Sequence, residues 1–238
     1  MTQAHETLSP ETLQVMPREM RLMAERIFSL TALPKGFALT LSDLPMYSEL
    51  QGLGGFALLE RCFAALKDAD AGALTVLAEA GPALSLDARG QHAWIAVQTA
   101  LDLAGELVAA HGRAEVTVAN ALDPAELALA EGLAPRAGLR VRVVQGALPV
   151  LMAEAGPLAD PILKQAQAQG APIEAALWWR IYALAKTALA PDTPVSRRHA
   201  GVIIVAEDGT VIGRKDNDDE SDTALMTRAR VTEEGAGA

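Results

Sequence analysis

The densest cluster of chemically competent side chains in this sequence is Ser196-Arg197-Arg198-His199. Two guanidinium groups beside an imidazole can grip a carboxylate or a phosphate, because the arginine fork matches the spacing of those oxygens. Ser196 and His199 are the catalytic candidates of this run, and Arg197 and Arg198 the anion-binding ones. The competing explanation is a solvated loop whose arginines pair with the chain's own acids. A second cluster, Gly52-Leu53-Gly54-Gly55, stands just before an apolar stretch that reads as a helix. The backbone amides of Gly52, Gly54 and Gly55 have the placement to cradle an anion at that helix start. No Gly-Lys-Ser/Thr follows, and the spacing is not the dinucleotide one, so turn formation competes here.

The acidic run 216–222 supplies Asp216, Asp218 and Glu220 at alternate positions. Its sixth position is Ser221 and its twelfth Thr227, where an EF-hand needs glycine and a bidentate acid, so that loop is rejected. Asp216 and Asp218 remain candidates only for a surface cation. The histidines His5, His92, His111 and His199 lack metal-ligand spacing. No Gly-x-Ser-x-Gly elbow occurs. Cys62 is the single cysteine, which excludes an intrachain disulfide and a cysteine-based zinc site; it reads as a small buried residue. No cofactor is implied by any loop.

These groups need elements to position them. Three Ser/Asp-Pro pairs mark helix starts, at Ser9-Pro10, Asp123-Pro124 and Asp160-Pro161, with Glu126 completing a capping-box spacing after Asp123. Helices are predicted over 10–30 with a bend at Pro17, 56–67, 92–111, 124–133, 161–169 and 172–189. Met20, Met23, Ile27 and Leu30 form a core stripe in the first, and Trp178 and Tyr182 widen the apolar stripe of the last. Phe37, Leu39 and Leu41 alternate with small or polar residues, so the ambiguous stretch 33–44 is compatible with a strand, followed by a loop over 43–55 that has room for a short helical turn. The runs 74–78 and 83–87, split by Gly81-Pro82, suggest a hairpin. Extended runs at 115–120 and 139–145 flank a helix, as a parallel strand–helix–strand crossover requires. A C-terminal hairpin joins 202–206 to 210–213 through Asp208-Gly209.

Bulk properties narrow the field. The chain has 238 residues, half of them apolar and only 4% aromatic. Its net charge of −10 repels phosphate backbones, so nucleic acid is not an expected partner. No unbroken apolar run or leader-like N-terminus stands out, and the expectation is a cytoplasmic protein with no membrane span. One α/β or α+β domain over 1–215 is predicted, with a mixed sheet and helices packed on its faces, followed by an acidic tail over 216–238. The stretch 190–194 is the best internal boundary.

Two stretches carry a family resemblance. Leu33-Pro34-Lys35-Gly36, Gly52-Leu53-Gly54-Gly55 and Leu58-Leu59 form the first. Leu184-Ala185-Lys186-Thr187, Pro191, Ser196-Arg197, Gly201 and Asp216-Asn217-Asp218 form the second. Together they resemble a family of uncharacterised bacterial proteins known as a domain of unknown function. Lys35 departs from that family's tryptophan, and the 202–213 hairpin interrupts the late signature. The resemblance implies no activity, but would gather Ser196, Arg197 and 216–218 into one site. Three function classes follow: an accessory or binding protein acting through a partner or self-association, an enzyme on a small anionic metabolite using the Arg/His patch, and a structural subunit of a larger complex.

Overall fold

A computed structural model describes residues 11–189 together with 204–205 and 211–212. The chain divides into two compact units, Met1–Leu189 and Ala190–Ala238. In the first, the order is β1 (Thr12–Val15), α1 (Pro17–Phe28), α2 (Lys35–Leu41), α3 (Leu44–Leu50), α4 (Gly55–Lys67), β2 (Thr75–Ala80), β3 (Ala83–Asp87), α5 (Ala93–His111), β4 (Arg113–Ala119), α6 (Leu129–Leu133), β5 (Leu139–Val144), β6 (Val150–Ala155), α7 (Pro161–Gln169), β7 (Ala171–Glu174) and α8 (Ala175–Lys186). In the second, β8 (Ile204–Val205) pairs antiparallel with β9 (Val211–Ile212), which are the arms of the expected hairpin; its Asp208-Gly209 turn lies outside the described residues.

The first unit is mixed α/β. Its five-stranded sheet runs β2-β3-β4-β6-β5. β3 and β4 are parallel, with Ala83 opposite Glu115, and α5 is the crossover between them. The other pairs are antiparallel. Alternation decides which face is covered. Ala114, Val116 and Val118 of β4, Leu139 and Val141 of β5, and Leu151 and Ala153 of β6 point into the core, where α5 and α6 pack. Arg113, Glu115, Arg140, Arg142, Met152 and Glu154 occupy the opposite, open face. β1 and β7 form a separate antiparallel ribbon, with Thr12 opposite Glu174.

Several expectations are corrected. The 10–30 helix begins only at Pro17. Residues 12–15 are extended because they pair with β7, and Met16, preceding a proline, stays extended at φ −84 and ψ 153. The same pairing converts the first residues of the 172–189 helix into β7. The 33–44 strand is instead helix α2: Ala38 and Leu41 are buried three apart, while Leu39 is 58% exposed, so the apparent alternation carried no burial. The 43–55 loop contains α3. The 115–120 and 139–145 strands share one sheet and one direction, but β6, unread in the sequence, lies between them. The parallel neighbour of β4 is β3. Tyr182 is 44% exposed rather than packed. α5 is long and apolar enough to cross a membrane by composition, yet 56% of its most apolar window is buried inside the protein.

α3 and α4 cross at Gly55, where an added Cβ would stand 2.0 Å from the Pro45 carbonyl oxygen and 2.7 Å from Ser48 Cβ. Gly36 in α2 has open space around it. Gly55→Ala is therefore expected to lose about 1–3 kcal/mol in urea unfolding, and Gly36→Ala to gain about 0.5–1 kcal/mol. Equal effects at the two positions would contradict this packing.

Candidate functional site

The C-terminal ends of the parallel strands β3 and β4 lie side by side, and the loops that leave them, 88–92 and 120–123, run together. Ala88 N–H donates to the Ala119 carbonyl, Gly90 N–H to that of Asn120, and Leu122 N–H to that of Gln91. Three non-glycine residues here hold positive φ: Arg89 at 53°, Asn120 at 55° and Asp123 at 47°. Each such residue costs on the order of 1 kcal/mol, and such costs concentrate at working sites. Asp87, the last residue of β3, holds the turn. It accepts from Asn120 Nδ2 at 2.9 Å and from Arg89 N–H at 2.8 Å, and these bonds, the Asn120 one foremost, keep its carboxyl below the usual range.

His92 sits at the start of α5 with its side chain 1% exposed. Trp94 N–H donates to its Nδ1 at 3.1 Å. Nδ1 is thus the acceptor, and the neutral ring carries its proton on Nε2. Nε2 stands 3.4 Å from Asp123 Oδ2, and Asp123 Oδ1 is 3.1 Å from Arg61 on α4. Asp123 is 36% exposed and Arg61 68%, so this end of the row faces solvent. Burial pulls His92 down to about 4, outweighing the opposing pull of the Asp123 carboxylate. Behind it, Trp94 Nε1–H donates to Glu126 Oε2 at 2.7 Å. Glu126 is 4% exposed; burial pushes its carboxyl up against the lowering effect of that bond. The row Arg61, Asp123, His92, Trp94, Glu126 therefore grades from wet to dry, with burial favouring the neutral form increasingly toward the inner end. The exposed Asp123 carboxylate at the wet end is chemically a proton acceptor, and the buried His92 Nε2 beside it has no hydrogen-bond partner among the described residues.

Asp123 and Glu126 are not the capping box that their spacing suggests. Asp123 makes no side-chain cap, the segment Pro124–Ala128 is a 3₁₀ turn, and Glu126 reaches the indole instead of the Asp123 amide. The α5 N-terminus holds no spare donor in its first turn for a phosphate. Ala93 N–H is spent on the Leu122 carbonyl, Trp94 N–H on His92, and Ile95 N–H on the His92 carbonyl.

Of the residues singled out in the sequence, Ser196, Arg197, Arg198, His199, Asp216 and Asp218 lie outside the described residues. Gly52 and Gly54 adopt φ of 76° and 74°, which glycine permits, and Gly54 precedes α4 directly. The Phe56 amide at that helix start is taken by the chain's own Glu49 carboxylate at 3.1 Å. Cys62 is buried, and burial pushes its thiol up to about 12. Among the described residues no group of three or more His, Cys, Asp or Glu is placed to hold a metal ion. The His92–Asp123 pair is absent from the candidates drawn from the sequence. The signal was present: recognising 83–87, 93–111 and 113–119 as one parallel crossover puts both residues just past the strand ends, where ligands bind in such sheets.

No family model matches the chain, and no curated protein does. Among solved structures it is similar to malate dehydrogenase from Pyrococcus horikoshii, with 13% identity and a TM-score of 0.46, over 76% of this chain and 67% of that one. Similarity extends to a dehydrogenase from Sinorhizobium meliloti, with 19% identity and a TM-score of 0.46, over 76% and 73% of the two chains. A sulfolactate dehydrogenase from Methanocaldococcus jannaschii follows, with 14% identity and a TM-score of 0.47, over 84% of this chain and 60% of that one.

The His92 environment has a pH consequence with a definite sign. Below the ordinary histidine value near 6.5, the unfolded chain takes up a proton that folded His92 refuses until about 4. Its contribution to stability is full above 6.5 and lost as pH falls toward 4. For the nearly fully buried ring the loss is on the order of 3 kcal/mol. Thermal melts should steepen in their pH dependence across that window, and His92→Gln should remove the extra slope. A wild-type imidazole that titrates by NMR at its ordinary value would refute the assignment.

Proposed function

We propose that the chain is an enzyme acting on a small carboxylic acid by proton transfer, with Asp123 as the base and Arg61 as the anchor for the substrate's anionic group. The supporting observation is the pairing of a half-exposed carboxylate with a buried neutral histidine on strained loops at the ends of parallel strands. His92 acts as a positioning residue: its buried Nε2 stands 3.4 Å from Asp123 Oδ2 without completing a hydrogen bond, and the neutral ring bounds the dry side of that carboxylate. Arg61 is mostly exposed, so its ion pair with Asp123 is weak and exchangeable for a ligand carboxylate. Guanidinium–carboxylate geometry then brings the carbon on the far side of the substrate's ketone to Asp123, which takes a proton from it while the C–H electron pair passes to the ketone oxygen as an enolate.

The test uses the full chain with pyruvate in deuterium oxide, followed by proton NMR. Exchange of the methyl protons should exceed the buffer rate, and Asp123→Asn should cut the excess by about 100-fold or more. Arg61→Ala should raise the pyruvate concentration needed for half-maximal rate and leave the saturated rate less affected. No excess exchange, or exchange indifferent to Asp123→Asn, would overturn the proposal.

A second reading, an accessory protein that docks a partner, is favoured by Trp179 and Tyr182 on α8. They are 54% and 44% exposed and stack edge to face at 5.9 Å, and exposed aromatics of this kind are what protein interfaces use as anchors.

A further inference from the structure

Helix α8 is buried along one side only. Leu177, Trp178, Ile181 and Ala185 face the core. The other side carries Ala176, Trp179, Tyr182, Ala183 and Lys186, all exposed, and the exposed Leu189 stands just beyond the helix end. Trp179, Tyr182, Ala183 and Lys186 follow the three-, four- and seven-residue spacing of a single helix face. Both aromatic rings are about half in water, which leaves on the order of 200 Å² of ring surface uncovered. Arg180, at the edge of this face, is already paired with Glu60 at 2.8 Å.

The face is complementary to itself. Consider two copies of α8 lying antiparallel about a twofold axis midway between Tyr182 and Ala183. Positions equally far from that midpoint then meet. Trp179 of one copy meets Lys186 of the other, Tyr182 meets Ala183, and Leu189 meets Ala176. An ammonium group over an indole face is a cation–π contact. A large side chain against an alanine lets two helices close to about 8–10 Å. Every large group on the face thus finds its counterpart on a second copy of the same face.

We propose that this side of α8 is a homodimer interface, with two copies antiparallel and Trp179 of each covered by Lys186 of the other. The proposal rests on the aromatic pair behind the docking reading above and names the partner as a second copy of this chain. Twelve residues span about 18 Å, so the contact is a small one. A reversible dimer follows, with a Kd on the order of 100 μM.

Sedimentation velocity of the full chain should show monomer giving way to dimer between about 10 μM and 1 mM. Trp179→Lys sets two ammonium groups against each other and should weaken the dimer by roughly tenfold or more. Trp179→Glu removes the same ring but places a carboxylate opposite the second copy's Lys186, so it should dimerise more tightly than Trp179→Lys by roughly tenfold. Adding Lys186→Glu to Trp179→Glu should abolish that advantage. The chain's net charge of −10 by itself favours the lysine variant, so the reverse order reports the local pairing. Both positions are exposed, and thermal melts report whether each variant keeps its fold. Three results would each overturn the proposal: a monomer throughout the range, a dimer untouched by Trp179→Lys, or equal dimerisation of Trp179→Lys and Trp179→Glu. The readout is the mass of the chain by itself, so failure here is distinguishable from failure of pyruvate exchange or of docking to a different protein.

Discussion

The crossover helix α5 is the constraint from which the rest of the first unit follows. Trp94, Ile95, Ala96, Val97, Ala100, Ala104 and Leu107 are buried, which takes in most of its circumference. A helix apolar on so many sides cannot lie on a surface; it must run between layers. As the link between β3 and β4 it also begins inside the protein, so its first amides cannot be left to water. The Leu122 carbonyl and the His92 imidazole satisfy them. An Asp or Ser cap would have ended the matter there. Histidine brings a second ring nitrogen, and that nitrogen stands 3.4 Å from Asp123 Oδ2 with no hydrogen-bond partner among the described residues.

The same burial sets the electrostatics. Trp94 packs beneath the helix start and needs an acceptor for its indole N–H, which Glu126 provides. For His92 and Glu126 alike, loss of water dominates over the nearest polar contact: the imidazole is pulled down despite Asp123, and the carboxyl is pushed up despite Trp94. Both shifts favour the neutral form, as desolvation requires. The charged members of the row, Asp123 and Arg61, are those that reach solvent. A gradient of hydration along one row of side chains biases the inner groups toward their neutral forms and leaves the charge-bearing ones in solvent.

Legibility in the sequence followed the range of the interactions. The helix 92–111 was readable because its periodicity and its Gly112 stop are local, and Gly112 does adopt the left-handed cap, at φ 77. Asp160 caps α7 as its Asp-Pro signature indicates, accepting from Leu163 N–H at 2.9 Å. The hairpin across Gly81-Pro82 was equally local. The ribbon of β1 with β7 was not, since its strands are separated by most of the unit and each borders a real helix that absorbs it in any periodicity reading. Asp123 shows the limit most clearly. Its residue type and its spacing to Glu126 fit a cap, but the tertiary position of the β3 loop draws both carboxylates elsewhere, to Arg61 and His92 in one case and to Trp94 in the other.

The sheet's open face shows why helices on one side are sufficient. In a sheet covered on both faces the strands read as continuous apolar runs. Here β4 and β5 alternate strictly, and their outward residues carry opposite signs across the ladder. Glu154 of β6 stands opposite Arg113 on one side and Arg140 on the other, and Arg140 forms an ion pair with it. Arg142 reaches the Met152 sulfur at 3.6 Å, covering apolar surface with its stem. At the outer strand, Val143 N–H donates to the Glu131 carboxylate at 2.7 Å, so part of that edge is already satisfied. Charge pairing on the face and side-chain capping at the edge make the sheet compatible with water. The helices can then all gather on the other side, where they bury α5 and hold His92 against Asp123.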